Sequence, residues 1–189
     1  MLRDLELSFL ETAALVWLRY RKRCAYICTE YVDGRTRADI IGSDGARTYE
    51  IEIKRSIQDF NNDFKKSKHR RIESLLANRQ YFLVPFALER KALELLSTQD
   101  ESFGLLSCEL TEMGFEREFP IRCVKPAKPI HSRKITPIQL HGLVMRMASD
   151  VISTHMRLGA VKTCDRHLRE LAKLYEKKIP KQELVLDAE

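Results

Sequence analysis

Charged and apolar side chains alternate through Glu50-Ile51-Glu52-Ile53-Lys54. In an extended chain alternate residues share a face, so Glu50, Glu52 and Lys54 lie on one side and Ile51 and Ile53 on the other. The isoleucines read as core. Two carboxylates and an ammonium are an odd opposite face for a strand inside a sheet. Another acid, Asp39, stands earlier among Ala38, Ile40 and Ile41, and a hairpin would set it beside Glu50 or Glu52. Carboxylates meeting at the end of a strand pair make a hard-oxygen site suited to Mg²⁺ or Mn²⁺. A cation held there polarises a phosphate and acidifies a bound water. Lys54, one step along the same face, would hold that water or stabilise developing negative charge. The competing interpretation is a surface ladder of ion pairs, Glu52 with Lys54 or with Arg37. E-x-K alone is common, so its setting has to decide.

The elements that must position these residues follow from periodicity. Residues 2–21 are predicted as a helix, with Leu5, Phe9, Ala13, Val16 and Tyr20 at helical spacing and Leu7, Ala14, Leu15 and Leu18 widening the apolar face. Three strands follow, at residues 24–32, 35–42 and 46–54, joined by turns at Asp33-Gly34 and Ser43-Asp44-Gly45. A long helix over 57–78, a buried strand at 79–86, a helix at 88–97 and a strand at 104–109 complete an αβββαβαβ order. Residues 111–129 read as a loop or edge hairpin. Thr136-Pro137 is an N-cap with proline at the first helical position. That helix should end near Leu158, with Gly159 as its stop, and another should cover 162–178. The expected class is α/β with a central mixed sheet over residues 1–130, followed by a helical extension over 131–189.

Charge supports a polyanionic partner. The net charge is +6, and the stretch from Lys54 to Arg79 holds eight Lys/Arg against three acids. Lys65, Lys66, Lys68, Arg70 and Arg71 are its densest part and the expected nucleic-acid contacts, since each cation can displace a counterion from a phosphate backbone. A solvated helix face is the alternative. No apolar run reaches the ~18–20 residues that span a bilayer. The opening Met-Leu-Arg-Asp-Leu-Glu lacks the pattern of an export signal, so the cytoplasm is the expected location. The cysteines Cys24, Cys28, Cys108, Cys123 and Cys164 are scattered without a CxxC pair, which favours reduced, mostly buried thiols. The five histidines show no paired-ligand spacing, and there is neither a phosphate-cradling glycine loop nor GxSxG.

The run Ala38-Asp39, ten residues, then Glu50-Ile51-Glu52-Ile53-Lys54 resembles the PD-(D/E)XK nuclease motif, with Ala38 where that motif has proline. The resemblance covers residues 2–109 and implies a restriction-endonuclease-like core. It implies that Asp39 and Glu52 ligate the metal and that Lys54 is the motif lysine. The segment from Lys54 through Ser56, Asp59, Phe60, Asp63 and Lys65 is similar to the corresponding run of MmcB-like DNA-repair nucleases. Ser56 would cap the next helix, with Asp59 in its first turn. Asp63 lies one turn further on, in either a structural or a functional role. Some members of the superfamily hold an iron–sulfur cluster through four closely grouped cysteines, a grouping missing here.

Glu11 interrupts the apolar stripe of the first helix between Leu7, Ala14 and Leu15. Buried, it needs a metal, a metal-bound water or a basic partner; at the stripe's edge it would reach solvent. The resemblance implies a helix-one glutamate at the metal site. Glu50 would hold a second cation, or Arg37 or Arg47. The expected protein is thus a Mg²⁺- or Mn²⁺-dependent deoxyribonuclease, a hydrolase acting on DNA phosphodiesters in repair, recombination or phage DNA processing. The alternatives are a non-catalytic nucleic-acid-binding protein on the same fold, and an interaction module acting through its C-terminal helices. There Leu140, Val144, Met147, Val151 and Leu158 form a stripe that reads as core packing, or else as a homodimer seam.

Overall fold

Antiparallel hairpins and parallel crossovers meet on one strand, and that strand carries the charged row. A computed structural model describes residues 2–33, 36–64, 76–99, 101–109 and 121–178. The elements are α1 (Leu2–Tyr20), β1 (Tyr26–Asp33), β2 (Thr36–Ser43), β3 (Thr48–Ile53), α2 (Ile57–Asp63), β4 (Arg79–Pro85), α3 (Glu89–Leu96), β5 (Gly104–Cys108), β6 (Ile121–Lys125) and α4 (Pro137–Lys178). A short 3₁₀ turn, Phe86–Leu88, leads into α3. The strands form one sheet in the order β1-β2-β3-β4-β5-β6. β1, β2 and β3 run antiparallel, β3, β4 and β5 parallel, and β6 returns antiparallel on β5. The expected α/β class with a mixed sheet holds, and β6 supplies an edge strand within the stretch read as a loop or edge hairpin.

The chain divides into two compact units, Met1–Ala148 and Ser149–Glu189. In the first, the sheet has a core on each face. On one, Leu10, Ala13, Ala14, Trp17 and Leu18 of α1 pack on Ile40, Ile51, Ile53, Tyr81 and Leu83. Burying each large side chain contributes roughly 1.5–3 kcal/mol. This stripe is rotated from the expected one: Leu10 and Trp17 face the sheet, while Tyr20 is 66% exposed. On the other face, Phe60 of α2 and Ala92 and Leu96 of α3 pack on Phe82, Val84, Phe103 and Leu105. Gly104 is required where it stands, because a Cβ there would run into the Tyr81 ring and come within 2.7 Å of the Ala127 nitrogen.

Two expectations about helices fail. The helix predicted over 57–78 does not include Leu76–Asn78, which are not helical. Asn78 is occupied elsewhere: its Oδ1 accepts from Thr48 N at 2.9 Å, and its Nδ2 donates to the carbonyls of His131 (3.1 Å) and Arg133 (2.8 Å). Nor does Gly159 stop a helix, since α4 is continuous from Pro137 to Lys178. A glycine inside a helix costs only about 1 kcal/mol, which long flanking helical segments absorb. Its start is as expected: Gln139 N donates to Thr136 Oγ1 (3.3 Å) and Thr136 N to Gln139 Oε1 (3.0 Å), a reciprocal capping box.

The apolar stripe of α4 is not core along its length. Leu143 is fully buried with Cys28, Tyr31, Ala38 and Ile41, and Met147 packs against that cluster. Further along, Val151, Ile152, Met156 and Leu158 are exposed. Cys24, Cys28 and Cys108 are buried free thiols and Cys123 is exposed. Burial pushes the Cys24 thiol up to about 12 and the Cys108 thiol up to about 11. Among the described residues, no helix is long and apolar enough to cross a membrane.

Candidate functional site

The register between β2 and β3 chooses among the acids. Ile40 pairs with Ile51 and Ile41 with Glu50, so the next position along sets Asp39 against Glu52 rather than Glu50. The ladder ends there. In place of a further rung, Asp39 Oδ2 accepts a hydrogen bond from Ile53 N at 2.9 Å. This fixes one carboxylate oxygen at the end of the strand pair. On the β1 side the ladder also skips this point, pairing Thr29 with Ile40 and Tyr31 with Ala38. Between them Glu30 has φ +49°, in the left-handed region. That costs a non-glycine residue roughly 1–2 kcal/mol. Strain of this kind concentrates at functional sites.

The charged row on β3 is buried. Glu50 is 4% exposed, Glu52 2% and Lys54 3%, which rules out a solvated surface ladder. Lys54 Nζ donates to Glu52 Oε2 at 3.1 Å and lies 3.3 Å from Oδ1 of Asp63, itself fully buried. Burial drags the Lys54 pKa down, but the nearby charges of Glu52, Asp63 and Asp39 outweigh it and hold it above the ordinary lysine value. The group is therefore an ammonium at neutral pH.

Local sequence explains how Asp63 arrives there. Lys54 N donates to Leu83 O at 2.9 Å, continuing the parallel pairing past the end of β3. Ser56 then caps α2, its Oγ accepting from Asp59 N at 3.1 Å, as expected from the sequence. Phe60 buries among the phenylalanines of the sheet. Asp63, three residues later on the same helical face, is thereby aimed at Lys54.

Glu11 is half-buried on α1. Its pKa is raised, first by burial and then by the charges of Glu30 and Asp39. The interrupting glutamate of the first helix thus feels the like charges of Glu30 and Asp39. Glu30 itself accepts from Arg37 Nη2 at 2.5 Å and lies 3.9 Å from Arg146 Nη2. Sequence inspection did not single out Glu30; a glutamate in a strand carries no signal for a left-handed backbone.

Glu50 lies between Ile41 of β2 and Gln80 of β4 in the ladder. Arg37 pairs with Glu30 and Arg47 lies 3.9 Å from Asp44, so both suggested partners of Glu50 have other carboxylates. Gln80 is fully buried, and neither its Oε1 nor its Nε2 has a hydrogen-bond partner. Leaving a buried polar group unpaired costs about 1–3 kcal/mol. The only hint in the sequence is one amide next to the apolar run from Tyr81 to Pro85. Lys65, Lys66, Lys68, Arg70 and Arg71 lie outside the described residues.

The oxygen donors at the end of β3 are Asp39 and Glu52, and Glu11 on α1 feels the charge of Asp39. Among the described residues, no group of three or more His, Cys, Asp or Glu side chains is arranged to hold a metal ion. Mg²⁺ does not need one, because it retains several waters and takes one or two carboxylates. Carboxylate oxygens of this kind are the donors that a hard divalent cation takes. No family model, curated protein or solved structure gives a significant match to this chain.

Proposed function

We propose that this protein is a Mg²⁺- or Mn²⁺-dependent deoxyribonuclease with a restriction-endonuclease-like core. The observation that carries this reading is the end of β3. There the Asp39 carboxylate replaces a ladder rung at Ile53 while, one residue on, Lys54 is buried as an ammonium against Glu52. Asp39 and Glu52 would hold the cation, with Glu11 reaching it from α1. When bound, it would supply Lewis-acid activation of a phosphodiester and of a water. Lys54 would stabilise negative charge developing on the phosphate. Asp39 orients the end of β3, and the strand pair keeps the acids in register.

Incubating the purified protein with linear, single-stranded and branched DNA in Mg²⁺, Mn²⁺ or EDTA tests the proposal. Cleavage should appear with either metal and vanish with chelation. Undiminished cleavage in EDTA, or none on any substrate, overturns it.

Glu50 and Glu52 should behave differently. Glu52 neighbours Asp39 and Lys54, whereas Glu50 lies one step back beside Gln80. Removing a group that supports a metal site indirectly lowers affinity or activity ~10–100-fold. Glu50→Gln should leave measurable metal-dependent cleavage in a timed assay, and Glu52→Gln none. The opposite ranking would place the cation at Glu50.

The basic segment should set DNA affinity without sequence preference. Each of Lys65, Lys66, Lys68, Arg70 and Arg71, if neutralised, should flatten the dependence of log K on log salt by roughly one unit. A slope unchanged when Lys66→Ala, Lys68→Ala and Arg70→Ala are combined would make the segment a solvated surface.

A further inference from the structure

We propose that Asp63 is a positioning residue that receives the Lys54 ammonium when a divalent cation takes Glu52. This inference rests on the nuclease reading above. Lys54 Nζ touches two buried carboxylates, hydrogen-bonded to Glu52 at 3.1 Å and in ion-pair contact with Asp63 at 3.3 Å. A single lysine is thus shared between two buried carboxylates.

A carboxylate engaged by an ammonium is a poor ligand, since the incoming cation meets the lysine's charge. Lys54 holds Glu52 through Oε2, so both oxygens of Glu52 are open to a metal once Lys54 gives way, and a displaced ammonium in a buried site needs another anion at once. Asp63 supplies it without moving. Its helix is capped by Ser56 and anchored by Phe60, so the carboxylate is held in place. Lys54 has a flexible four-carbon stem and three rotatable donors, and needs only to release Glu52 and close on Asp63, which it already contacts. The lysine is then displaced from the metal ligand yet kept charged and close to the end of β3. An asparagine in place of Asp63 would preserve the shape but remove the anion.

Calorimetric titration of Mn²⁺ into four proteins tests this: wild type, Asp63→Asn, Lys54→Met, and the double variant. Asp63→Asn should weaken Mn²⁺ binding about 10–100-fold, the usual range for groups that orient metal ligands. Lys54→Met should bind at least as tightly as wild type. Adding Asp63→Asn to Lys54→Met should change little, because Asp63 then has no lysine to receive. An equal loss in both backgrounds would make Asp63 merely a nearby charge and overturn the proposal. So would unchanged affinity in Asp63→Asn.

Should Asp63→Asn fail to fold, Asp63→Ser takes its place in both backgrounds, and weaker Mn²⁺ binding confined to the protein that keeps Lys54 remains the expected result. Urea denaturation of the metal-free proteins adds a reading independent of activity. Asp63→Asn should destabilise the protein markedly when Lys54 is present and little in the Lys54→Met background. Equal destabilisation in the two backgrounds overturns the pairing. A wild type that binds no Mn²⁺ and cleaves no DNA defeats the nuclease reading and the transfer of Lys54 with it. Mn²⁺ binding with additive effects defeats only the role of Asp63.

Discussion

On the proposed nuclease reading, Glu52→Gln and Asp39→Asn should each yield a folded protein whose metal-dependent DNA cleavage is lost, by roughly 10⁴–10⁶-fold as for removing one member of a catalytic unit. Asparagine is the informative replacement for Asp39. Its Oδ2 accepts from Ile53 N, and an asparagine side chain would keep a carbonyl oxygen for that bond while removing the charge. Alanine would strand a buried N–H at a cost of about 1–3 kcal/mol, mixing a folding defect with a chemical one. Glutamine in place of Glu52 likewise leaves an oxygen for Lys54 to donate to. The loss should therefore appear in single-turnover cleavage and in Mn²⁺ binding, with far-UV circular dichroism unchanged. Lys54→Arg should retain metal and DNA binding while cleavage falls, because charge persists but its position changes. Wild-type cleavage by Asp39→Asn would remove Asp39 from the site.

Phe82→Ala should cost about 3–5 kcal/mol of stability, the range for deleting a buried aromatic and leaving a cavity. Phe82 is fully buried, with ring centroids 5.0 Å from Phe60, 5.3 Å from Phe64 and 5.6 Å from Phe103. These rings join α2 to the sheet, and the loss extends to the site because Phe82 lies beside Glu52 in the ladder. In urea denaturation the midpoint should fall at an unchanged slope. Tyr20→Ala, at an exposed position on α1, is the contrasting control and should shift stability by less than about 0.5 kcal/mol. Comparable stability of the two variants would mean that α2 does not pack on β4 as described.

Much of this protein was already written in the order of its residues. The alternation of Glu50, Ile51, Glu52, Ile53 and Lys54 sets a two-residue period, so the opposed apolar and charged faces of β3 needed no tertiary information. Ser56 and Thr136 identified their helix starts because caps act over three residues. The turn at Asp44-Gly45 was legible for the same reason, as Asp44 Oδ1 accepts from Ala46 N and Arg47 N nearby. All of these are local effects.

Tertiary structure alone decided which acids meet. Pairing Ile41 with Glu50 sets Asp39 against Glu52, and hairpin signals could not choose that register. Both faces of the sheet are covered, so charges that alternate like a surface row are buried with Lys54 between Glu52 and Asp63. The long-range hydrogen bonds of Asn78 to Thr48, His131 and Arg133 override helical propensity at Leu76–Asn78. Gly159 shows the converse, a local stop signal too weak to end α4. In each case the deciding energy comes from groups beyond the few residues on either side, which no short window of sequence contains.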